Sequence, residues 1–190
     1  MITEATKTKR LFVALPVTTT ACDIFALYQN SYTILRGIHW TPVENLHITV
    51  QFLGDVEVRR IEIMTNTLKN IAKRHKAFEL TFDRVIFGSP GKRDKRMIWA
   101  VFRVCPQYND LVREVSALLR PFCTYTSPHQ ERIPHITLAR FHAAEAVAGV
   151  HLDQPTFKKS MPVREMKLMG SALGPNGSVY SEVATAMFDQ

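Results

Sequence analysis

His47-Ile-Thr-Val50 and His135-Ile-Thr-Leu138 are two copies of one pattern, His-x-Thr-apolar, each set in an apolar stretch of the chain. Leu46 to Leu53 around the first copy and His135 to Ala139 around the second read as strands. Alternate side chains of a strand face the same way. His47 and Thr49 therefore share one face, with Ile48 and Val50 turned to the core. His135 and Thr137 stand in the same relation to Ile136 and Leu138. Two such strands side by side would line a cleft with two imidazoles and two hydroxyls.

Further elements follow on either side. Leu11 to Leu15, closed by Pro16, reads as a buried strand, and Thr18 to Thr20 as the cap of a helix carrying Ile24, Phe25, Leu27 and Tyr28. Ile61, Met64, Leu68 and Ile71 recur at helical spacing, with Glu62, Lys69 and Lys73 on the other side. Phe78 to Phe82 alternates like a half-buried strand, and Met97 to Val104 reads as its neighbour. Between them a Gly/Pro-punctuated loop, Gly88 to Arg96, holds Lys92, Arg93, Lys95 and Arg96. A helix fits Leu111, Val112, Val115, Leu118 and Leu119, stopped by Pro121, and a weaker one fits Ala143 to Val150. Two closing strands, about Val163 to Leu173 and Ser178 to Phe188, flank the turn signal Gly174-Pro-Asn-Gly177. Strands and helices alternate without a long βαβ rhythm, which makes the class α+β. No linker or low-complexity stretch divides residues 1–190, so one domain, or two lobes sharing a core, is expected.

Composition narrows the partner. With 24 Lys+Arg against 17 Asp+Glu the net charge is +7, which favours an anionic ligand without bearing on fold. Cys22, Cys105 and Cys123 are odd in number and have no C-x-x-C spacing, which suits a reducing compartment. The apolar run Leu11 to Leu15 is too short for a signal-peptide core or a membrane span. The expectation is a cytoplasmic protein with no membrane contact and no obligate protein partner.

The chemistry that suits the doubled tetrapeptide is phosphoryl transfer. Histidine titrates nearest neutral pH, so one ring can accept a proton while its twin donates one. Opening a cyclic phosphodiester needs both roles, on opposite sides of phosphorus. Threonine hydroxyls can donate to the non-bridging oxygens, where charge gathers. There is no H-x-H, no H-E-x-x-H and no acidic cluster, so neither a metal nor another cofactor is expected. Lys92, Arg93, Lys95 and Arg96 read either as an RNA-backbone guide or, more commonly, as a solvated loop. Trp40 and Phe12 read either as base-stacking or as packing residues. His39, His75, His129, His142 and His151 have no partner motif and read as surface or satisfied histidines, His142 standing out for its nearness to Arg140.

Trp40-Thr-Pro-Val-Glu-Asn-Leu-His-Ile-Thr-Val-Gln-Phe-Leu-Gly54 closely resembles the first motif of the 2H phosphoesterase superfamily, and Pro134-His-Ile-Thr-Leu-Ala-Arg140 the second. Leu11 to Leu15, Ile98 to Val101 and the closing stretch from Ser171 to Tyr180 extend the resemblance over nearly the whole chain. More narrowly, the chain is similar to the RNA 2′,3′-cyclic phosphodiesterases, also called 2′-5′ RNA ligases. The resemblance implies a bilobal α+β fold, with pseudo-twofold-related lobes whose antiparallel sheets form a central cleft and whose helices lie outside. It implies metal-free hydrolysis of an RNA 2′,3′-cyclic phosphate to a 2′-phosphomonoester, with a reverse 2′-5′ ligase reaction. His47 then matches the proton donor and His135 the acceptor, while Thr49, Thr137 and Arg140 match the phosphate-binding residues. By strict alternation Arg140 faces away from His135, so it reaches the cleft only if the strand ends or bulges near Ala139. Val50 stands where leucine is commonest, a small change on the buried face. The alternatives are a smaller substrate (a cyclic nucleotide, ADP-ribose cyclic phosphate or 2′,5′-oligoadenylate) and a non-catalytic RNA-binding module.

Overall fold

The computed structural model describes residues 7–32, 36–88, 96–124, 132–142, 147–156, 160–174 and 177–190. Lys92, Arg93, Lys95, His129 and the Pro175-Asn176 pair lie outside the described residues. So does half of the helix expected over 143–150, of which 147–150 forms a turn. The strands are β1 (Thr8–Pro16), β2 (Ile38–Trp40), β3 (His47–Glu57), β4 (Phe78–Gly88), β5 (Met97–Phe102), β6 (His135–Phe141), β7 (Ser160–Val163), β8 (Glu165–Gly174) and β9 (Gly177–Met187). The helices are α1 (Thr19–Asn30), α2 (Ile61–Ala72) and α3 (Pro106–Leu119).

Pairings between these strands are all antiparallel, in the order β7-β4-β5-β6-β3-β1-β8-β9, with β2 against β6. Four strands thus lie on each side of the β6–β3 junction. That junction is thin, consisting of one residue pair, Ile48 with Ile136. Few hydrogen bonds cross it, so the two halves of the sheet diverge there into a curled, mainly antiparallel α+β fold.

Each helix forms for a readable reason. Thr18, in extended conformation, accepts a hydrogen bond from the Ala21 amide and caps α1. Pro106 opens α3 at a position where no amide proton is needed. Met64, Leu68 and Ile71 of α2 are fully or almost fully buried, as their spacing requires. Helix and strand side chains that face away from His47 and His135 merge into one core, including Phe25, Met64, Leu111, Ile48, Ile136 and Leu168. Two expectations shift in detail. Leu27 and Leu118 are solvent-exposed, since neither lies on the stripe that meets the sheet. β3 does not end at Gly54 but continues to Glu57, because Gly54 takes φ 76°, a conformation that spares glycine the Cβ clash of other residues.

Candidate active site

His47 and Thr49 emerge on one face of β3, His135 and Thr137 on the same face of β6, and the intervening Ile48, Val50, Ile136 and Leu138 are wholly buried. Continuing the Ile48–Ile136 register by one residue sets His47 opposite Thr137 and Thr49 opposite His135. The two imidazoles are diagonal neighbours across the strand pair, related by a local twofold.

Their tautomers follow from hydrogen bonding. His47 Nδ1 lies 2.7 Å from the Asn45 carbonyl oxygen, and His135 Nδ1 lies 2.8 Å from that of Ile133. A carbonyl only accepts, so each Nδ1 carries its proton and each Nε2 is left able to accept one. His47 Nε2 is 3.1 Å from Thr49 Oγ1. Neutral, that nitrogen accepts from the hydroxyl; protonated, it donates to it.

The sequence leaves Arg140 on the wrong face, and the structure resolves this with a bulge. β5 pairs Ile98 with Ala139 but Trp99 with Thr137, so Leu138 is the extra residue. Met97 and Trp99 share a face of β5, and Met97 pairs with Arg140. Arg140 therefore returns to the face of His135 and Thr137, exposed, with Nη1 3.2 Å from the Met97 sulfur. Among the described residues it pairs with no carboxylate. β3 repeats the device: β1 pairs Ala14 with Thr49 but Val13 with Gln51, skipping Val50. Phe52 then occupies the position equivalent to Arg140, and both strands show the same succession of buried and accessible residues.

A bulge frees a carbonyl from the ladder, and here both freed carbonyls are recaptured. The Leu138 oxygen accepts from the Thr41 amide (2.8 Å) and from Gln29 Nε2 (3.1 Å), which also donates to the Thr41 oxygen (2.9 Å). The Val50 oxygen accepts from the Arg132 guanidinium. Gln51 is held by Ser116, whose hydroxyl donates to its side-chain oxygen at 2.8 Å. Gln29, Gln51 and Ser116 are the buried polar residues among those described, and all three sit at the bulges. Gln29→Leu, similar in size but unable to donate, is expected to cost about 1–3 kcal/mol. Urea unfolding measures it, and an unchanged stability would show that the Leu138 carbonyl needs no such partner.

Electrostatically both histidines are tuned downward. Burial lowers the pKa of His47; the Asn45 hydrogen bond opposes this, and the Arg140 charge adds to it. His135 is lowered by burial, against its Ile133 hydrogen bond, and further by the charges of His47 and Arg140. Arg140 thus acts on both rings, and a proton on His47 discourages one on His135.

Aromatic side chains wall the site. Phe12 lies 4.9 Å from the His47 ring and 5.1 Å from Tyr180, which meets His47 edge-on at 5.3 Å. Trp99 stacks on His135 with ring centroids 3.7 Å apart. Trp40 packs against the core near Tyr32 instead. The sequence reading did not single out Trp99 or Tyr180, nor Gln29, whose signal was a polar residue beside Phe25 and Tyr28 on the buried stripe of α1. His39 pairs with Arg140 across β2–β6, and its ring lies 5.6 Å from that of His142. His75 binds Glu114 between α2 and α3, away from the two-histidine face.

The family described as LigT-like phosphoesterases matches residues 18–99, which contain the first His-x-Thr motif and Trp99. Over that stretch the chain is similar to the LigT-like phosphoesterases. The RNA 2′,3′-cyclic phosphodiesterase of Methanothermobacter thermautotrophicus is 26% identical over 153 residues, covering 77% of this chain and 80% of its own. The enzyme of the same name from Methanocaldococcus jannaschii is 24% identical over 180 residues, covering 92% and 98%. In fold the chain is similar to E. coli LigT in its apo form, with TM-score 0.79, 20% identity and coverage of 97% and 99%. No helix among the described residues is long and apolar enough to cross a membrane. Its three cysteines are free thiols.

Proposed function

We infer that the chain hydrolyses 2′,3′-cyclic phosphate ends of RNA to 2′-phosphomonoesters, with His47 as general acid and His135 as general base. The observation that carries this reading is the pair of Nδ1–carbonyl hydrogen bonds, which leaves an Nε2 on each of two adjoining strands to give or take a proton. Two bases fixed in the same tautomer across a twofold suit an in-line displacement, where protons move on opposite sides of phosphorus. The names of the archaeal relatives supply the substrate class.

In the forward step, His135 Nε2 takes a proton from water as its oxygen bonds to phosphorus. The P–O3′ bond breaks, and His47 Nε2–H protonates the departing O3′. The 2′-phosphate remains. A ribose 5′-hydroxyl in place of water would give a 2′-5′ linkage by the same proton transfers. The acid must start protonated and the base neutral. That division is favoured because His47's charge is among the causes that lower His135. It also prepares Thr49: before substrate binds, the protonated Nε2–H donates to Oγ1 and leaves the threonine O–H free to meet a phosphate oxygen. With substrate in place, Nε2–H is given to O3′ instead. Thr137 and Arg140 complete the set of donors around the non-bridging oxygens.

The test is turnover of an RNA oligomer ending in a 2′,3′-cyclic phosphate, in EDTA, with the product identified by phosphorus NMR. A 2′-phosphomonoester formed at full rate is the expected result. A 3′-phosphate, or loss of activity in EDTA, would refute the assignment. A cyclic mononucleotide run in parallel separates an oligonucleotide enzyme from one for small cyclic phosphates.

A further inference from the structure

The two imidazoles share a tautomer but not their surroundings. His47 touches Phe12 at a tilt and Tyr180 edge-on, whereas His135 lies almost flat on the Trp99 indole, 3.7 Å between centroids and 23° between planes. Such an overlap is not what two neutral rings choose, because the negative faces of their quadrupoles repel. It is favourable once the imidazole is charged, because a cation over an indole face is attracted by it.

The indole is held in this position from behind. A Cβ at Gly88 would lie 2.5 Å from Trp99 Cδ2 and 2.6 Å from Cε2, so the ring fills the space a side chain there would take. Trp99 is 9% exposed, and its Nε1 is buried with no hydrogen-bond partner among the described residues. Phenylalanine would occupy the same strand position without burying an unpaired donor. What the indole offers in return is a broader face beneath His135. The charged groups bearing on His135 are His47 of β3 and Arg140 of its own strand; from β5 its neighbour is Trp99.

We propose that Trp99, seated against the bare backbone of Gly88, is a positioning residue that orients His135 and stabilises its imidazolium as the proton arrives from water. The proposal rests on His135 being the working base, as inferred above. It distinguishes the two histidines physically: the ring that becomes charged during attack is the one with an indole face against it.

Imidazole nitrogen NMR titration tests this without substrate, so it stands or falls separately from the identity of the RNA end. In Trp99→Leu the His135 titration is expected to move to lower pH by roughly half a unit or more, with His47 moving less. The acid limb of kcat/KM should follow it downward, and kcat should fall roughly three- to thirty-fold with KM little changed. Trp99→Phe, which keeps a smaller face, should lie between Trp99→Leu and wild type. Gly88→Ala, which changes no aromatic residue, should displace the indole and move His135 in the same direction as Trp99→Leu. If His135 titrates as in wild type in well-folded Trp99→Leu and Gly88→Ala, Trp99 is only a packing residue. An upward move in Trp99→Leu would mean the indole acts solely by excluding water, and would equally overturn the proposal.

Discussion

His47→Ala and His135→Ala are each expected to lower kcat on an RNA 2′,3′-cyclic phosphate by about 10²–10⁴-fold, the span of one positioned acid or base. The double variant should lose far less than the product of the two effects, because a proton donor without an activated nucleophile has little left to assist. Affinity for a 2′-phosphorylated product should change much less than kcat, since Thr49, Thr137 and Arg140 remain. The roles can be separated with a substrate carrying sulfur in place of the bridging 3′-oxygen. A thiolate leaves without a proton, so His47→Ala should regain most of its loss on that substrate while His135→Ala should not. The reverse pattern would exchange acid and base. Near-normal turnover by either single variant would remove the pair from the mechanism altogether.

That His47 and Thr49 share a face was legible in the sequence, and the cause is local. Strand alternation is a two-residue rule, and His47-Ile-Thr-Val50 satisfies it within four positions, so its facing could be read without tertiary information. The same holds for the core stripe of α2, where spacing alone selects Met64, Leu68 and Ile71. β2 and β7 were not legible, being three and four residues long with Pro42 following the one and Pro162 inside the other. β4 outruns its alternating start because a register shift between Phe82 and Arg84 breaks the period. The bulges were least visible of all. Nothing in Thr137-Leu-Ala-Arg140 states that Leu138 and Ala139 both turn inward; that depends on Gln29, 109 positions away, reaching the Leu138 carbonyl. Trp99 escaped for the same reason, since an apolar strand residue and a ring stacked on the His135 imidazole have the same local pattern.

Arg140 is the residue whose place depends most on such long-range structure, and its removal is expected to have two separable effects. Arg140→Gln should lower kcat/KM by about 10²–10³-fold, as the loss of one well-placed donor to a charged transition state does. It should also move the pH profile. The guanidinium charge is among the causes that hold both imidazoles below their ordinary value, so removing it favours their protonated forms and raises both. The acid limb, set by the histidine that must be neutral, and the alkaline limb, set by the one that must be charged, should therefore both shift to higher pH. Arg140→Lys keeps the charge but not the planar fork, so it should hold the wild-type limbs while recovering only part of the rate. A rate loss without a pH shift would confine Arg140 to the phosphate, out of reach of the imidazoles. A pH shift without a rate loss would mean that the Leu138 bulge brings the guanidinium near the histidines but not onto the reacting phosphoryl group.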